Sequence, residues 1–272
     1  MLPTGVILAG LFVTYTLAAP TLPPSRSIQK RAPPTIAAGF SPQQTTQITD
    51  AFRDALELAS YAVTIPSSSV DPIFAKYFNA GDHDLVNSVF NAILGGNANS
   101  DQGNDTLAQI TIKPDFPDAN GELTCSDATT MAELRDWSTA NPTIVLCDPA
   151  AFGHGGIGKG YGSVAAIECG SFDPRVSWKM ETLGSILLHE YTHWLSLVAP
   201  PLSKETDDVA YGPTGVRAMD KDEATNNADS YSWFATENLW TVICGTQYGD
   251  PTPPDDDDPN CGGGVCQAPK GP

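Results

Sequence analysis

The chain has 272 residues, with 32 acidic side chains against 14 basic ones and a formal net charge of −18. A surface this acidic excludes nucleic acid and anionic membrane as natural partners, because both repel it. The roughly 215 residues between 32 and 248 suffice for one well-buried domain.

The first 31 residues read as an address label. Gly5 to Ala19 is an apolar stretch of 15 residues, interrupted only by Thr14-Tyr15-Thr16, and is too short to span a bilayer. It ends on Leu17-Ala18-Ala19, a small-residue cleavage site, so residues 1–19 are expected to be a signal peptide. A short Pro-rich pro-segment, 20–31, closes on Lys30-Arg31, the dibasic pair that a kexin-type processing protease cuts. The mature chain would begin at Ala32. Losing Arg26, Lys30 and Arg31 and no acid takes its charge from −18 to −21. No second long apolar run follows. The expected product is secreted, extracellular and monomeric, and associates with no membrane.

Ser41-Pro42 opens a helix, with Ser as cap and Pro in the first turn, and Phe52, Ala55, Leu56 and Ala59 give it an apolar stripe. The spacing predicts a second helix over 72–94, stopped by Gly95-Gly96. Between 107 and 146 the pattern changes. Gln109 to Ile112 alternates, and Thr143-Ile144-Val145-Leu146 reads as a short buried strand. Asn104-Asp105-Thr106 is a glycosylation acceptor. Gly153 to Lys159 spells G-x-x-x-x-G-K, but Gly160 stands where a phosphate loop needs Ser or Thr. This segment is therefore a loop, and its His154 a surface histidine; His83, in Gly81-Asp82-His83-Asp84, is a loop or helix-start residue. A long helix is predicted over 178–197, ended by Pro200-Pro201, and a last one over 222–242. Residues 249–272, rich in Pro and Gly with four aspartates at 255–258, are expected to be a disordered tail.

Inside the 178–197 helix lies His189-Glu190-Tyr191-Thr192-His193, an H-E-x-x-H motif. Residues four apart share a helix face, so both imidazoles can close on one Zn²⁺. Glu190 points beside the metal, where it can take a proton from a bound water. The bland alternative is two surface histidines. Met180, Leu183, Leu187 and Trp194 speak against it, since their spacing places the motif on a packed helix. The chemistry is that of a zinc peptidase. No histidine follows His193, so the third ligand would be a carboxylate: Glu205, Glu223 or Glu237, or Asp207, Asp208 or Asp229. Six cysteines, with no C-x-x-C pair, imply disulfides and leave 15 connectivities open.

Glu205 to Gly212 (E-T-D-D-V-A-Y-G) resembles the G-T-x-D-x-x-Y-G signature of the aspzincins, deuterolysin-like secreted zinc metalloendopeptidases of fungi, with Glu205 at the first Gly. Asn226-Asn227-Ala228-Asp229-Ser230-Tyr231 is similar to another stretch of that family, and the three motifs occur in its order. The resemblance covers about residues 125–245. It implies an α+β, zincin-like fold, mostly helical with a small mixed sheet and an H-E-x-x-H active-site helix. It implies one zinc per chain, held by His189, His193 and Asp208, and protein or peptide substrates. Glu190 would be the general base, Tyr211 the oxyanion donor, and Asp229 a partner of a histidine or of the ligand loop. The family's peptidyl-Lys branch carries Glu three residues after that acid, where this chain has Ser232. The resemblance also implies the pairs Cys125–Cys147 and Cys169–Cys244, leaving Cys261 with Cys266. Zincins bind substrate along an edge strand, for which residues 162–169 are the candidate. A binding module without proteolysis is the alternative from another class, and a peptidase with Glu237 as ligand a second.

Overall fold

The computed structural model describes residues 33–64, 71–96, 103–126, 130–148, 150–153, 162–251, 261–262 and 265–266. The expected signal peptide and pro-segment, the loop holding His154 and the run of four aspartates lie outside the described residues.

Strand β1, Thr35–Ile36, leads into helix α1, Pro42–Thr64. Ser41 Oγ accepts from Gln44 N at 3.2 Å, and Gln44 Oε1 accepts from Ser41 N at 2.9 Å, a reciprocal cap. The predicted apolar stripe is buried. The helix expected over 72–94 is two: α2, Phe74–Tyr77, and α3, His83–Ile93. Phe78 is extended between them, and Asn79 and Asp82 cap each other's backbone around one turn, Ala80–Asp82. The apolar spacing hid this break because Phe78 is as buried as a helical residue would be.

Strands β2, Thr111–Pro114, β3, Ala132–Arg135, and β4, Thr143–Leu146, complete a four-stranded mixed sheet in the order β1-β2-β4-β3. β1, β2 and β4 run parallel, with Thr111 opposite Thr143, and β3 runs antiparallel to β4, with Leu134 opposite Ile144. β4 is buried at all four residues, as a central strand with a continuous apolar run should be. β1 and β3 are the edges. A short helix, α4, Ala150–Gly153, follows.

The helix expected over 178–197 is also broken. Trp178–Met180 forms a single tight turn, α5 covers Leu183–His193, and α6 covers Leu195–Val198. At the front, Thr182 and Ser185 cap each other at 3.0 and 2.9 Å. At the back, Trp194 leaves the helical conformation (ψ 96). Its side chain is fully buried, and its indole N–H donates to Thr139 O at 3.2 Å. Burying that ring outweighs helix continuity. Helix α7, Gly212–Ala218, comes next. The last helix starts late: residues 221–226 form a tight turn, Asn227 is extended, and α8 runs from Ala228 to Cys244, closed by Gly245 at φ 60.

α1, α5 and α8 pack against one another as the core of the helical layer, and α5 also packs on β3. Gly184 is required there: a Cβ would meet Asp54 Cβ at 2.4 Å and Ala55 N at 2.9 Å across the α1–α5 contact. Phe234 of α8 anchors an aromatic cluster, with ring centroids 5.5 Å from Phe74 and 5.7 Å from Phe78. The result is an α+β chain with helices packed on one small mixed sheet.

Two disulfides close this frame. Cys125–Cys147 ties the Thr124–Ser126 turn to the end of β4, and Cys169–Cys244 ties the turn at Cys169–Ser171 to the last residue of α8. The Cys261 and Cys266 side chains lie outside the described ones. Their backbones pair across a small antiparallel ladder, β5 (Cys261–Gly262) with β6 (Val265–Cys266). The tail expected to be disordered from 249 is therefore structured in part. Gly249 N donates to Pro174 O at 3.0 Å, and Asp250 pairs with Arg217 at 2.6 Å. Buried arginine charge draws in this acidic start of the tail.

Candidate metal centre

α5 carries His189 and His193 one turn apart on one face, with ring centroids 4.9 Å apart. Each ring is held through Nδ1. His189 Nδ1 donates to Asp229 Oδ1 at 2.6 Å, and His193 Nδ1 to the backbone oxygen of Thr206 at 2.8 Å. A carbonyl can only accept, so His193 carries its proton on Nδ1. In the neutral rings Nε2 is then the atom left to bind a metal, and the two Nε2 atoms lie 3.1 Å apart. Asp208 Oδ1 lies 3.0 Å from His189 Nε2 and 3.3 Å from His193 Nε2. Two imidazole nitrogens and a carboxylate oxygen converging on one point attract a positive charge, a proton or a metal ion. Among the described residues, His189, His193 and Asp208 form the one group of His, Cys, Asp or Glu that could hold a metal ion. Two imidazoles, one carboxylate and an open fourth side suit Zn²⁺ at a catalytic site.

Electrostatics agree with that fit. Burial pulls the pKa of the His189 imidazole down, but Asp208 and Asp229 outweigh it and hold it well above the ordinary value. Burial raises the Asp208 carboxyl, yet the two histidines hold it far below the usual carboxylate range. Glu190 is buried in the same site. Burial raises its carboxyl above the ordinary value, against the pull of His189 and His193.

The ligand loop is built from α8. Asn227, fully buried, accepts from Val209 N and Ala210 N, each at 2.9 Å, with one amide oxygen. Asp207 exchanges backbone hydrogen bonds with the same stretch: its N–H donates to Asn226 O at 2.6 Å, and its oxygen accepts from Ala228 N at 3.0 Å. Asp229 uses its second oxygen to accept from Gly212 N at 2.7 Å, at the start of α7. One carboxylate thus fixes both a metal-facing histidine and the end of the loop. Gly212 sits at φ 68, where a Cβ would meet the Trp178 ring at 2.3 Å. The Tyr211 ring lies nearly parallel to His189, centroids 6.1 Å apart, and burial first, then the nearby Asp208, pushes its hydroxyl pKa up.

The other carboxylates considered from sequence lie elsewhere. Glu237 is buried against Lys76 (2.6 Å), Tyr77 and Arg217, so it is not a metal ligand. Asp207 accepts from Asn226 Nδ2 at 2.8 Å. Sequence reading missed Thr206 and Asn227 as supports. The N-N-A-D-S-Y run contained Asn227, but nothing local says where a buried amide points.

The expected edge strand at 162–169 is absent. Val164–Ala166 and Cys169–Ser171 are single turns, and the Val164 N–H donates to Asp54 Oδ2 at 2.8 Å instead of to a ladder. Among the described residues, the sheet edge beside α5 is β3.

Residues 169–236, about a quarter of the chain, match the aspzincin family, described as lysine-specific metallo-endopeptidase. No curated protein matches the chain. Among solved structures, it is similar to a zinc peptidase from Grifola frondosa, at 17% identity and TM-score 0.46, covering 73% of this chain and 98% of that one. The matched segment carries α5, the acidic loop and the start of α8.

Proposed function

We propose that this chain is a secreted, zinc-dependent metalloendopeptidase of the aspzincin type on a zincin-like fold, acting on proteins or peptides. One observation carries the reading. His189 Nε2, His193 Nε2 and Asp208 Oδ1 converge, with both Nδ1 atoms already committed, and the buried Glu190 lies in the same site. These three residues would hold one ion per chain.

When bound, Zn²⁺ supplies Lewis-acid polarisation of the scissile carbonyl and a water of lowered pKa. Glu190 takes the proton of the attacking water and passes it to the leaving amine. Its burial strengthens its hold on that proton between the two transfers. Tyr211, its hydroxyl beside Asp208, donates to the developing oxyanion. β3, the sheet edge beside α5, offers extended backbone to a substrate chain.

A strict preference for lysine finds no free acid here. Both oxygens of Asp229 are engaged, and the Ser232 hydroxyl donates to Ser185 O at 2.8 Å. The signal peptide, dibasic processing and monomeric state belong to the same proposal. So does a glycan at Asn104, whose amide nitrogen donates to Ala92 O at 2.8 Å and keeps a second N–H for the sugar.

The test is peptide-library cleavage by the purified mature protein, with and without chelator, beside Glu190→Gln. The wild type should cleave only with metal. Glu190→Gln should keep zinc and fold but lose several orders of magnitude of activity, because it removes a base and not a ligand. Zinc-loaded wild type that cleaves nothing would make this a binding module.

A further inference from the structure

Arg217 stands at the far end of α7 from Tyr211. Six residues along a helix is about 9 Å, too far for Arg217 to touch the reacting atoms. Yet its surroundings are elaborate. The side chain is 9% exposed. One guanidinium nitrogen pairs with Glu237, which is fully buried on α8, and the other with Asp250 at 2.6 Å. The guanidinium carbon lies 4.6 Å over the Tyr77 ring. Glu237 also accepts from Lys76 Nζ at 2.6 Å and from Tyr77 OH at 2.8 Å. A buried carboxylate with two cations is costly to desolvate, and such pairs seldom add net stability over apolar residues. Their specific gain is fixed geometry, since a planar fork tolerates little displacement.

α8 grips α7 at two points. Near its N-terminus, Asp229 holds the Gly212 N–H at 2.7 Å and with its other oxygen orients His189. Eight residues on, Glu237 holds Arg217 at the other end of α7. With only seven residues, α7 is too short to be stable alone. Its rigidity, and so the placement of Tyr211 against Asp208, depends on these two grips.

We propose that Arg217 and Glu237 form a positioning pair that sets α7 and, through it, the Tyr211 hydroxyl, with Asp250 steadying the guanidinium from the tail. This rests on the peptidase reading above for its kinetic consequence, but not for its structural one. Arg217→Lys keeps the charge and loses the fork.

Two readouts apply to zinc-loaded, full-length mature protein. The first is hydrogen exchange of the amides in residues 209–216. They should exchange at least about tenfold faster in Arg217→Lys, with α5 and α8 unchanged and zinc still one per chain. The second is peptide kinetics: kcat should fall about tenfold with KM within twofold. In a Tyr211→Phe background, Arg217→Lys should cost less than twofold more, because its effect passes through that hydroxyl. If Arg217→Lys raises exchange everywhere, Asp250→Ala, whose side chain is 79% exposed, replaces it and should loosen the same amides to a smaller degree. Wild-type exchange at 209–216 in a folded variant, additive kinetic losses, or loss of zinc would each overturn the pair's role. A wild type that cleaves nothing would sink the peptidase reading alone, and the exchange data would still decide this one.

Discussion

Asp54 offers the sharpest quantitative test of the packing beneath the site. It lies on α1 against the first turn of α5 and is 6% exposed. Burial is the main force on its carboxyl, pushing the pKa from 3.8 up to about 6, against the Val164 N–H, which pulls it back. The nearby Glu57 and Asp50 push it up further, and Arg53 pulls it down. A shift of about two units at ~1.4 kcal/mol per unit sets a ceiling of about 3 kcal/mol. Water reaching part of the side chain brings the expected effect to about 1.5–3 kcal/mol. The folded value lies above the unfolded one, so the folded state holds this proton more tightly. That stability is fully present below pH 3.8 and is lost as pH rises through 6. Asn keeps an acceptor for Val164 and carries no charge. Asp54→Asn should therefore be the more stable protein at pH 8 and lose that advantage near pH 4.5. Urea unfolding of both proteins across this range, at constant salt and zinc, gives the difference directly. In thermal scans it should read as about 2–4 °C per kcal/mol. An advantage equal at both pH values, or one that grows on acidification, refutes the argument.

Further outcomes follow from the metal centre and its frame. Asp208→Ala should lose most bound zinc while Glu237→Ala keeps it, as metal analysis of purified protein would reveal; the reverse would move the third ligand. Asp229→Asn should keep the fold but weaken zinc binding about 10–100-fold, because His189 loses its orienting carboxylate. Competition with a fluorescent chelator measures this, and an unchanged affinity would remove Asp229 from the centre's support. Replacing Cys169 and Cys244 together opens a loop of 75 residues. Chain entropy then predicts a loss of about 4 kcal/mol, read by urea unfolding; a loss under about 1 kcal/mol would mean the frame holds without the bridge.

The parts of this molecule that were legible in its sequence are those where a local pattern coincides with a local demand. The two histidines needed only helical spacing, the strand at 143–146 only a short apolar run between turns. The errors have tertiary causes. Trp194 looks like one more helical apolar residue until its ring must enter the core and its N–H must reach Thr139. Ala132 to Arg135 raises no expectation of its own, because these residues favour helix by propensity; pairing with β4 makes the segment an edge strand, with Arg135 bonded to Glu133 at 3.0 Å. Residues 162–169 looked strand-like, but a carboxylate 110 positions earlier takes their N–H. Thr206 and Asn227 act through a backbone carbonyl and a buried amide, whose partners only the fold supplies.

The bridge between Cys169 and Cys244 has a consequence for the life of such a molecule in solution. If the proposed function holds, a secreted peptidase would meet its own copies, and its exposed segments would be substrates for them. The stretch Ser203–Ala210, with Lys204, Asp207 and Val209 exposed, is one such target, and it carries Asp208. A single cut anywhere between the two cysteines would leave two pieces joined through sulfur. On one side of a cut in that stretch stay α5 and both histidines, on the other α7 and α8, and the α5–α8 contact keeps them in register. Self-cleavage there would yield a nicked but assembled protein, visible as two bands only after reduction.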